Sequence, residues 1–320
     1  MIETVFPAYS WIDDLPLLTI HGEPEGKYGV KITDNKGDVL FAGNLWPDFN
    51  ATLQIDLEPV IRDLYTPELP SSVVKRLKNY TILNIEDVDY DDTATAKINL
   101  FSEDSEIYMS DADELLVPMD YRLPINYADT GDITEAYLVT RSERIDLMNY
   151  IKHSSERLGI WSVLLPISRF NLTPGTVFHV ILESDENGTI SSPVYKVTAQ
   201  EMEQYLFYNR LGGWDNIPMS GRRTIAPSFE FSHHLSGGNL QQSPGKATIK
   251  YQQSSGWLTR TTTAALMKLL ESKAIYHLVN GWWRQIVLDN ADGSVESDAS
   301  LQGLNFTYLY SENHKKYIVK

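Results

Sequence analysis

Hydrophobic and polar residues alternate in short runs along most of this chain, and Gly, Pro, Asn and Asp separate the runs. Residues 30–33 alternate in this way, residues 34–38 supply turn-forming side chains, and a second run follows at 39–43. Gly37 can adopt the left-handed backbone conformation that a tight hairpin needs. Alternation with a period of two between turn residues is typical of half-buried strands. The pattern therefore predicts a β-hairpin over residues 30–43.

A second hairpin signal lies in the middle of the chain. An apolar alternating run at 177–182 is followed by Asn187 and Gly188, and a return run covers 190–198. An Asn-Gly pair between two such runs is a strong sign of a tight β-turn. The pattern resembles the last two strands of a fibronectin-type or immunoglobulin-like module, which implies a β-sandwich.

The C-terminal third combines strands with the clearest helix of the chain. Residues 205–208 are strand-like and aromatic, and the patterns at 275–279, 284–288 and 304–310 also predict strands. Leu266, Leu269 and Leu270 share one face of a helix predicted over 262–273, and a Thr can cap its start. Residues 241–256 are polar and contain Gly, which leaves both an exposed loop and a hairpin open.

These patterns predict a mainly β fold, built from several β-sandwich or β-barrel modules with one or two short helices. The second short helix is expected near 58–65. We divide the chain into an N-terminal β domain at 1–118, an Ig/fibronectin-like β-sandwich at 119–198 and a C-terminal β-rich domain at 199–320. The pattern does not separate a barrel from a sandwich in the first and third domains.

Composition and charge exclude several classes of protein. The 320 residues are 42% hydrophobic and 22% charged, as in folded globular proteins. Their 27 Lys and Arg against 43 Asp and Glu give a formal charge of −16, which argues against binding to a nucleic-acid backbone or an anionic membrane. The same charge is compatible with a DNA-conducting lumen whose acidic wall does not bind the DNA. No apolar run could span a bilayer and no secretory signal is visible, so we expect a protein soluble in the cytoplasm.

Motifs for catalysis and metal binding are not found in the sequence. The complete absence of Cys rules out thiolate zinc sites, iron–sulfur clusters and cysteine nucleophiles. The acidic run that starts at Asp87 has Asp92 where an EF-hand loop needs Gly and Ile98 where it needs Glu. The seven histidines have no ligand spacing such as HExxH. We therefore expect a protein that is not an enzyme and holds no cofactor or metal; a polysaccharide or peptidoglycan hydrolase is the least favoured alternative.

Aromatic residues beside turns are the remaining candidates for function. Tryptophan faces stack on sugars, but tryptophans also close β-modules and fill interfaces, and we favour core or interface roles here. We expect the third domain to be shaped by Trp214 and its neighbours Asn209, Arg210 and Asp215. We expect Trp282 and Trp283 to lie in its core or in an interface. The candidate residues are Asn209, Arg210, Trp214, Asp215, Trp257, Trp282 and Trp283.

Three stretches together resemble a known group of proteins. They are the N-terminal hairpin with residues 53–57 and the short helix; residues 205–215 with Gly221; and residues 256–260, 269–276 and 284–289. In this order they resemble β-rich tail, baseplate or collar proteins of tailed phages and prophages of gut Bacteroidota, including crAss-like phages. The resemblance implies a virion protein of the tail or collar region that forms a ring-shaped homo-oligomer and contacts neighbouring virion proteins. The alternative is a glycan-binding β-sandwich protein for attachment to a host or a polysaccharide.

Overall fold

The protein is described by a computed structural model, and the following account covers part of the chain. The described residues are 2, 4, 10–11, 16–21, 28–34, 37–48, 50–58, 61, 69–70, 75–77, 80–87, 92–99, 107–108, 114–128, 133–151, 160–184, 188–209, 213–236, 239–256, 260–293 and 303–311. Strands dominate these residues, so the predicted mainly β, multi-domain fold is confirmed.

The N-terminal region contains a five-stranded sheet in the order β1-β8-β7-β3-β4 and a separate β2-β5 pair. The first nine strands of the chain are β1 (Ser10–Trp11), β2 (Leu18–His21), β3 (Tyr28–Thr33), β4 (Val39–Leu45), β5 (Thr52–Ile55), β6 (Lys75–Leu77), β7 (Tyr80–Asp87), β8 (Asp92–Asn99) and β9 (Ile107–Tyr108). The predicted hairpin is β3 and β4, and Gly37 has a positive φ of 88°. Most of the helix predicted near 58–65 lies outside the described residues, although Ile61 N–H donates to Leu57 O at 3.1 Å, as in a helical turn.

The middle of the chain forms a two-sheet sandwich. Its strands are β10 (Glu114–Pro118), β11 (Arg122–Ala128), β12 (Ile133–Thr140), β13 (Arg144–Asp146), β14 (Ile160–Pro166), β15 (Val177–Ser184), β16 (Gly188–Ser191) and β17 (Val194–Thr198). A short 3-10 helix (Ile167–Phe170) follows β14. One sheet has the order β10-β17-β15-β12-β13 with β16 beside β15, and the other has β6-β14-β11-β9. The division of β11 and β14 from β12, β15 and β17 is the immunoglobulin arrangement of strands.

Strands cross the boundary placed at residue 118. Short β6 and β9 extend the β11–β14 sheet, and β10 runs parallel to β17. The middle sandwich thus contains pieces of chain from both sides of that boundary. The division into three domains itself stays a prediction.

The C-terminal region is one seven-stranded antiparallel sheet with a helix. Its elements are β18 (Glu203–Tyr208), β19 (Trp214–Met219), β20 (Arg223–Ser236), β21 (Asn239–Ser254), α1 (Arg260–Glu271), β22 (Ile275–Val279), β23 (Trp282–Gly293) and β24 (Leu304–Tyr310). The order is β19-β18-β22-β23-β24-β21-β20. Leu266 and Leu269 of α1 join the core on one face of the sheet, while Leu206 and Trp214 on the other face pack against Leu164 of β14.

Candidate functional site: a hairpin arm and its root

Trp214 lies in the joint between the middle sandwich and the C-terminal sheet, and the predicted candidates Asn209 and Asp215 are buried beside it. Asn209 closes the β18–β19 turn, because its side chain accepts a hydrogen bond from Gly213 N–H at 3.0 Å. Trp214 is fully buried and packs against the rings of Tyr208 and Tyr276 at centroid distances of 5.5 and 5.7 Å. Asp215 is also buried, and Asn209 Nδ2 lies 3.4 Å from its Oδ2. This geometry gives the three residues a place in the packing of the fold.

The remaining candidates differ in their positions. Trp283 is half-buried and packs against the same cluster as Trp214, whereas Trp282, next to Gly281, is 78% exposed. Arg210 and Trp257 lie outside the described residues. The three candidate tryptophans that the structure describes therefore do not form one exposed patch.

The most unusual feature of the C-terminal sheet is a long hairpin, β20–β21, which we call the arm (residues 223–254). Its strands pair from Arg223 with Gln253 to Ser236 with Asn239. Among the residues that the structure describes, only the stretch from Tyr251 to Ser254 of β21 pairs with the rest of the sheet, through β24. At about 3.4 Å per residue, the part beyond Tyr251 extends roughly 35 Å from the sheet. A two-stranded ribbon of this kind is only marginally stable alone in water.

The arm has one apolar face near its base. Residues directly opposite each other in an antiparallel pair point to the same side, and positions two apart share a face. Ile225, Pro227 and Phe229 of β20 therefore share a face with their β21 partners Ile249 and Tyr251. Of these, Ile225, Phe229 and Ile249 are 61%, 58% and 41% exposed.

The other face of the arm is polar. It presents Thr224, Thr248, Lys250 and Gln252 at alternating positions. Lys250 Nζ pairs with Asp289 Oδ2 of β23 at 2.8 Å and so ties the arm to the sheet. The arm is thus amphipathic, with one apolar and one polar face, and both strands contribute residues to each face.

The apolar face of the arm continues the core of the C-terminal sheet. Tyr251 stacks on Tyr308 at 5.4 Å and meets Tyr310 edge-on at 4.8 Å, on the face that α1 covers. Beyond Tyr251 the same face reaches solvent at Ile249 and Ile225. An exposed face that continues a core is a common feature of protein-binding surfaces.

Prolines interrupt both strands of the arm. Pro227 lies in β20, which is the edge strand of the sheet, and Pro244 lies in β21. Because proline has no backbone N–H, it prevents continuous pairing along a strand edge. The arm therefore offers its apolar face, rather than its edges, for contact.

A polar network holds the base of the arm; we call His277, Glu203, Arg223, Tyr308 and Tyr310 the root network. Fully buried His277 lies with Nε2 2.6 Å from Glu203 Oε2 and Nδ1 2.7 Å from Tyr310 Oη. Because a carboxylate only accepts hydrogen bonds, Nε2–H donates to Glu203 and Nδ1 of the neutral ring accepts from Tyr310. Arg223, the first residue of β20, lies 3.4 Å from Glu203 Oε2 and from the imidazole nitrogens.

Burial sets the protonation states in this network. Burial lowers the pKa of His277, and it outweighs the opposing effect of Glu203. Burial also acts to raise the pKa of Glu203, but the hydrogen bond from His277 and the charge of Arg223 leave that pKa below its usual value. Burial raises the pKa of Tyr308 and of Tyr310. The network is therefore neutral at His277 and ionised at Glu203 and Arg223 near pH 7.

The carboxylate, imidazole and hydroxyl of Glu203, His277 and Tyr310 lie in the order of a hydrolase triad, but their chemistry differs. A substrate must reach the nucleophilic hydroxyl of such a triad, which the adjacent base activates. The pKa of Tyr310 is raised and its side chain is buried. We interpret the root network as structural, because it ties β18, β20, β22 and β24 together under the arm.

Sequence reasoning missed two features that the structure brings out. His277 has no local signal in the sequence, because its partners come from positions 203, 223, 308 and 310 and no motif joins them. The apolar face of the arm did have a signal, the alternation of Ile225, Pro227 and Phe229. Its proline and polar neighbours concealed that signal.

Metal-binding clusters and membrane-spanning helices are both absent from the described part of the chain. No group of three or more His, Asp or Glu side chains there could hold a metal ion. No helix among the described residues is both long and apolar enough to cross a membrane.

Comparisons with known proteins give no family. No protein-family model and no curated protein matches the chain. Solved structures that match the chain include extracellular domains 3–5 of Drosophila OTK, with a TM-score of 0.30 and 8% identity over 79% of this chain and 91% of that one. The Bacteroides ovatus SGBP-B, solved with a mixed-linkage heptasaccharide, has a TM-score of 0.17 and 9% identity over 93% and 73% of the two chains. The titin fragment I67–I69 has a TM-score of 0.18 and 11% identity over 93% of this chain and 84% of that one. Scores this low bear on neither function nor the details of the fold.

Proposed function

We propose that this protein is a non-catalytic structural subunit that works through protein–protein contacts made by the arm. The observation that carries the proposal is the apolar face of the arm, which extends a buried core into solvent at Ile225, Phe229 and Ile249. Fully burying an aliphatic or aromatic side chain of this size contributes roughly 1.5–3 kcal/mol, so covering this face favours association.

The construction of the root supports the same proposal. The root network and the Lys250–Asp289 pair join the arm to four strands of the sheet. A rigidly anchored element loses less conformational entropy when it binds than a mobile one. An assembly subunit needs an element of this kind to set the geometry of its contacts.

We further propose that the assembly is the tail, collar or baseplate region of a phage particle. This part rests on the resemblance of the three sequence stretches described above. The test is to purify particles from the source phage through a density gradient and quantify the chain by mass spectrometry. We expect several copies per particle at a fixed ratio to the other structural proteins. A chain that stays in the soluble fraction, apart from the particles, would overturn the assignment.

Glycan binding is the second candidate, and one observation favours it. Trp282 is 78% exposed beside the turn at Gly281, where its face is open to a sugar ring. A glycan array compares wild type with Trp282→Ala, which leaves the packed Trp283 in place. Binding that disappears in the variant would support a sugar site, whereas no binding by the wild type would exclude one for the glycans on the array.

A further inference from the structure

We infer that the root network is an acid-operated latch: a proton taken up by His277 releases Arg223 and opens the junction between the two ends of the C-terminal sheet, so that the base of the arm comes free. We call this junction the seam; it lies between β18 and β19 at one end of the sheet and β20 and β21 at the other. The latch acts within a single chain and so does not depend on what the arm contacts.

The connection between β19 and β20 shows that the C-terminal sheet curls back on itself. These strands stand at opposite ends of the strand order, yet only residues 220–222 separate Met219 from Arg223. In a flat sheet the two strands would be roughly 29 Å apart, six spacings of about 4.8 Å, whereas four residues of extended chain reach about 14 Å at most. A Cβ on Gly221 would also collide with the backbone of Ser254 at the end of the arm. The two ends of the sheet therefore meet at the base of the arm.

Side chains, rather than a strand ladder, close the seam. Among the described residues, no backbone pairing joins β18 or β19 to β20 or β21. Arg223 Nη1 of β20 instead lies 3.4 Å from Glu203 Oε2 of β18. Tyr205 Oη of β18 donates to Gln253 Oε1 of β21 at 3.0 Å, and Gln253 Nε2 donates to Gly221 O at 3.0 Å. Loss of such side-chain contacts opens the seam, because no ladder holds it.

His277 lies where an added charge acts directly on the contact between Arg223 and Glu203. Its ring is fully buried and stacks on Tyr205 at a centroid distance of 4.6 Å, which fixes its position. Arg223 Nη1 lies 3.4 Å from both ring nitrogens. The titratable and charged side chains that face the ring from neighbouring strands are Glu203 and Tyr205 of β18, Arg223 of β20, Arg284 of β23, and Tyr308 and Tyr310 of β24. Two of these are cations, and a single carboxylate faces them.

The proton binds at Nδ1 of His277, because Nε2–H already donates to Glu203. Nδ1 then no longer accepts from Tyr310 Oη, 2.7 Å away. The imidazolium competes with Arg223 for one carboxylate and holds the closer contact, since Nε2 lies 2.6 Å from Glu203 Oε2 and Arg223 Nη1 lies 3.4 Å from it. The new charge repels Arg223, whose side chain is 28% exposed and can reach water, whereas the ring of His277 is fully buried. Protonation therefore expels Arg223, the first residue of the arm.

Acid favours the open seam, because the open state binds this proton more tightly than the closed state. Burial, and then the charges of Arg223 and Arg284, lower the pKa of His277 in the closed sheet. At an open seam the ring is reached by water and has left Arg223, so its pKa returns toward the ordinary value near 6.5. The closed seam is therefore favoured above pH 6.5. As pH falls through 6.5 the balance shifts toward the open seam, by up to about thirtyfold at pH 5.

The absence of Cys lets a pair of spin labels measure the opening directly. Glu201→Cys, just before β18, and Gln242→Cys, in the arm, are exposed positions that carry the labels. Double electron–electron resonance gives the distribution of the distance between them, with an excess of unlabelled protein so that only distances within one chain contribute. We expect this distribution to be at least twofold wider at pH 5 than at pH 7.5. A second pair, Glu201→Cys with Arg169→Cys in the middle sandwich, should keep its width at both pH values, which separates opening of the seam from unfolding.

Two variants decide whether His277 and Arg223 form the latch. His277→Gln keeps a donor for Glu203 and an acceptor for Tyr310 but cannot take up a proton, so its distribution should stay narrow at pH 5. Arg223→Gln removes the closing contact, so its distribution should be wide at both pH values. His233→Gln, at an exposed position of the arm, is the matched control and should respond to pH like the wild type.

The latch is refuted if the wild-type distribution keeps its width between pH 7.5 and pH 5, or if His277→Gln widens as much as the wild type. Widening of both label pairs at pH 5 would show general unfolding and would refute it as well. An Arg223→Gln variant that behaves like the wild type also refutes it, and this comparison holds even where His277→Gln does not fold. A chain that shows the pH response but is absent from phage particles refutes only the proposed virion role.

Discussion

The side chain of Asn126 in the middle sandwich holds both backbone polar groups of Trp214 in the C-terminal sheet. Asn126 Nδ2 donates to Trp214 O at 2.9 Å, and Asn126 Oδ1 accepts from Trp214 N–H at 3.1 Å. Tyr121 Oη adds a hydrogen bond to Asn216 O at 2.6 Å. Gly213 permits the approach, because a Cβ there would lie 2.9 Å from Asn126 Cγ. These contacts fix the sheet that carries the arm against the middle sandwich.

Asn126→Ala should destabilise the protein by about 2–3 kcal/mol, because it leaves two buried backbone groups of Trp214 without these partners. Urea unfolding monitored by tryptophan fluorescence measures the loss. Asn44→Ala, at an exposed position of β4, is the matched control and should change the free energy of unfolding by less than about 0.5 kcal/mol. Equal effects of the two changes would show that Asn126 does not stabilise the joint.

The root network should make stability depend on pH between 7 and 5. Burial lowers the pKa of His277 in the folded protein, whereas the unfolded chain regains the ordinary value near 6.5. As pH falls through 6.5, the unfolded state binds a proton that the folded state does not, so the free energy of unfolding decreases. His277→Gln removes this group and should flatten the curve over pH 7–5 while lowering stability at pH 7.

The control for this experiment is His233→Gln, at an exposed position of the arm. Denaturant unfolding at pH 7, 6 and 5 should give this variant the pH dependence of the wild type. If His277→Gln keeps the wild-type slope as well, the buried imidazole does not titrate as the structure indicates.

The two adjacent tryptophans of β23 should differ in their contributions to stability. Trp283 packs against the cluster around Trp214, so Trp283→Ala should cost about 1–3 kcal/mol. Trp282→Ala removes a mostly exposed ring and should stay within about 0.5 kcal/mol of the wild type. Thermal unfolding compares the two, and a larger loss for Trp282→Ala would place that ring in a contact that the single chain does not show.

Local patterns in the sequence predicted much of the fold. The strands at 275–279 and 304–310 were placed correctly, and the helix expected at 262–273 is observed at Arg260–Glu271. The turns at Gly37 and Gly188 both have positive φ, as the hairpin signals required. The polar stretch 241–256, left open as loop or hairpin, belongs largely to β21. These features depend on neighbouring residues, which is why periodicity and turn chemistry reveal them.

The candidate site was harder to predict because it depends on distant pairings. β18 lies beside β22, which places Glu203 at His277, and β20 is anchored at the far edge of the same sheet. No spacing along the chain encodes that order. The arm was missed for a related reason: its apolar positions alternate across two strands, and the shared face is visible only when the register is known.

The proposal that this subunit assembles through the arm is tested most directly by sedimentation velocity over a concentration series. We expect the wild type to form an oligomer of fixed copy number. The double variant Ile225→Thr and Ile249→Thr, which keeps β-branched residues in the arm, should associate at least tenfold more weakly with an unchanged melting temperature. Thr224→Ser, on the polar face, should behave like the wild type. A wild type that stays monomeric at every concentration, or a double variant that assembles as well as the wild type, would contradict the account.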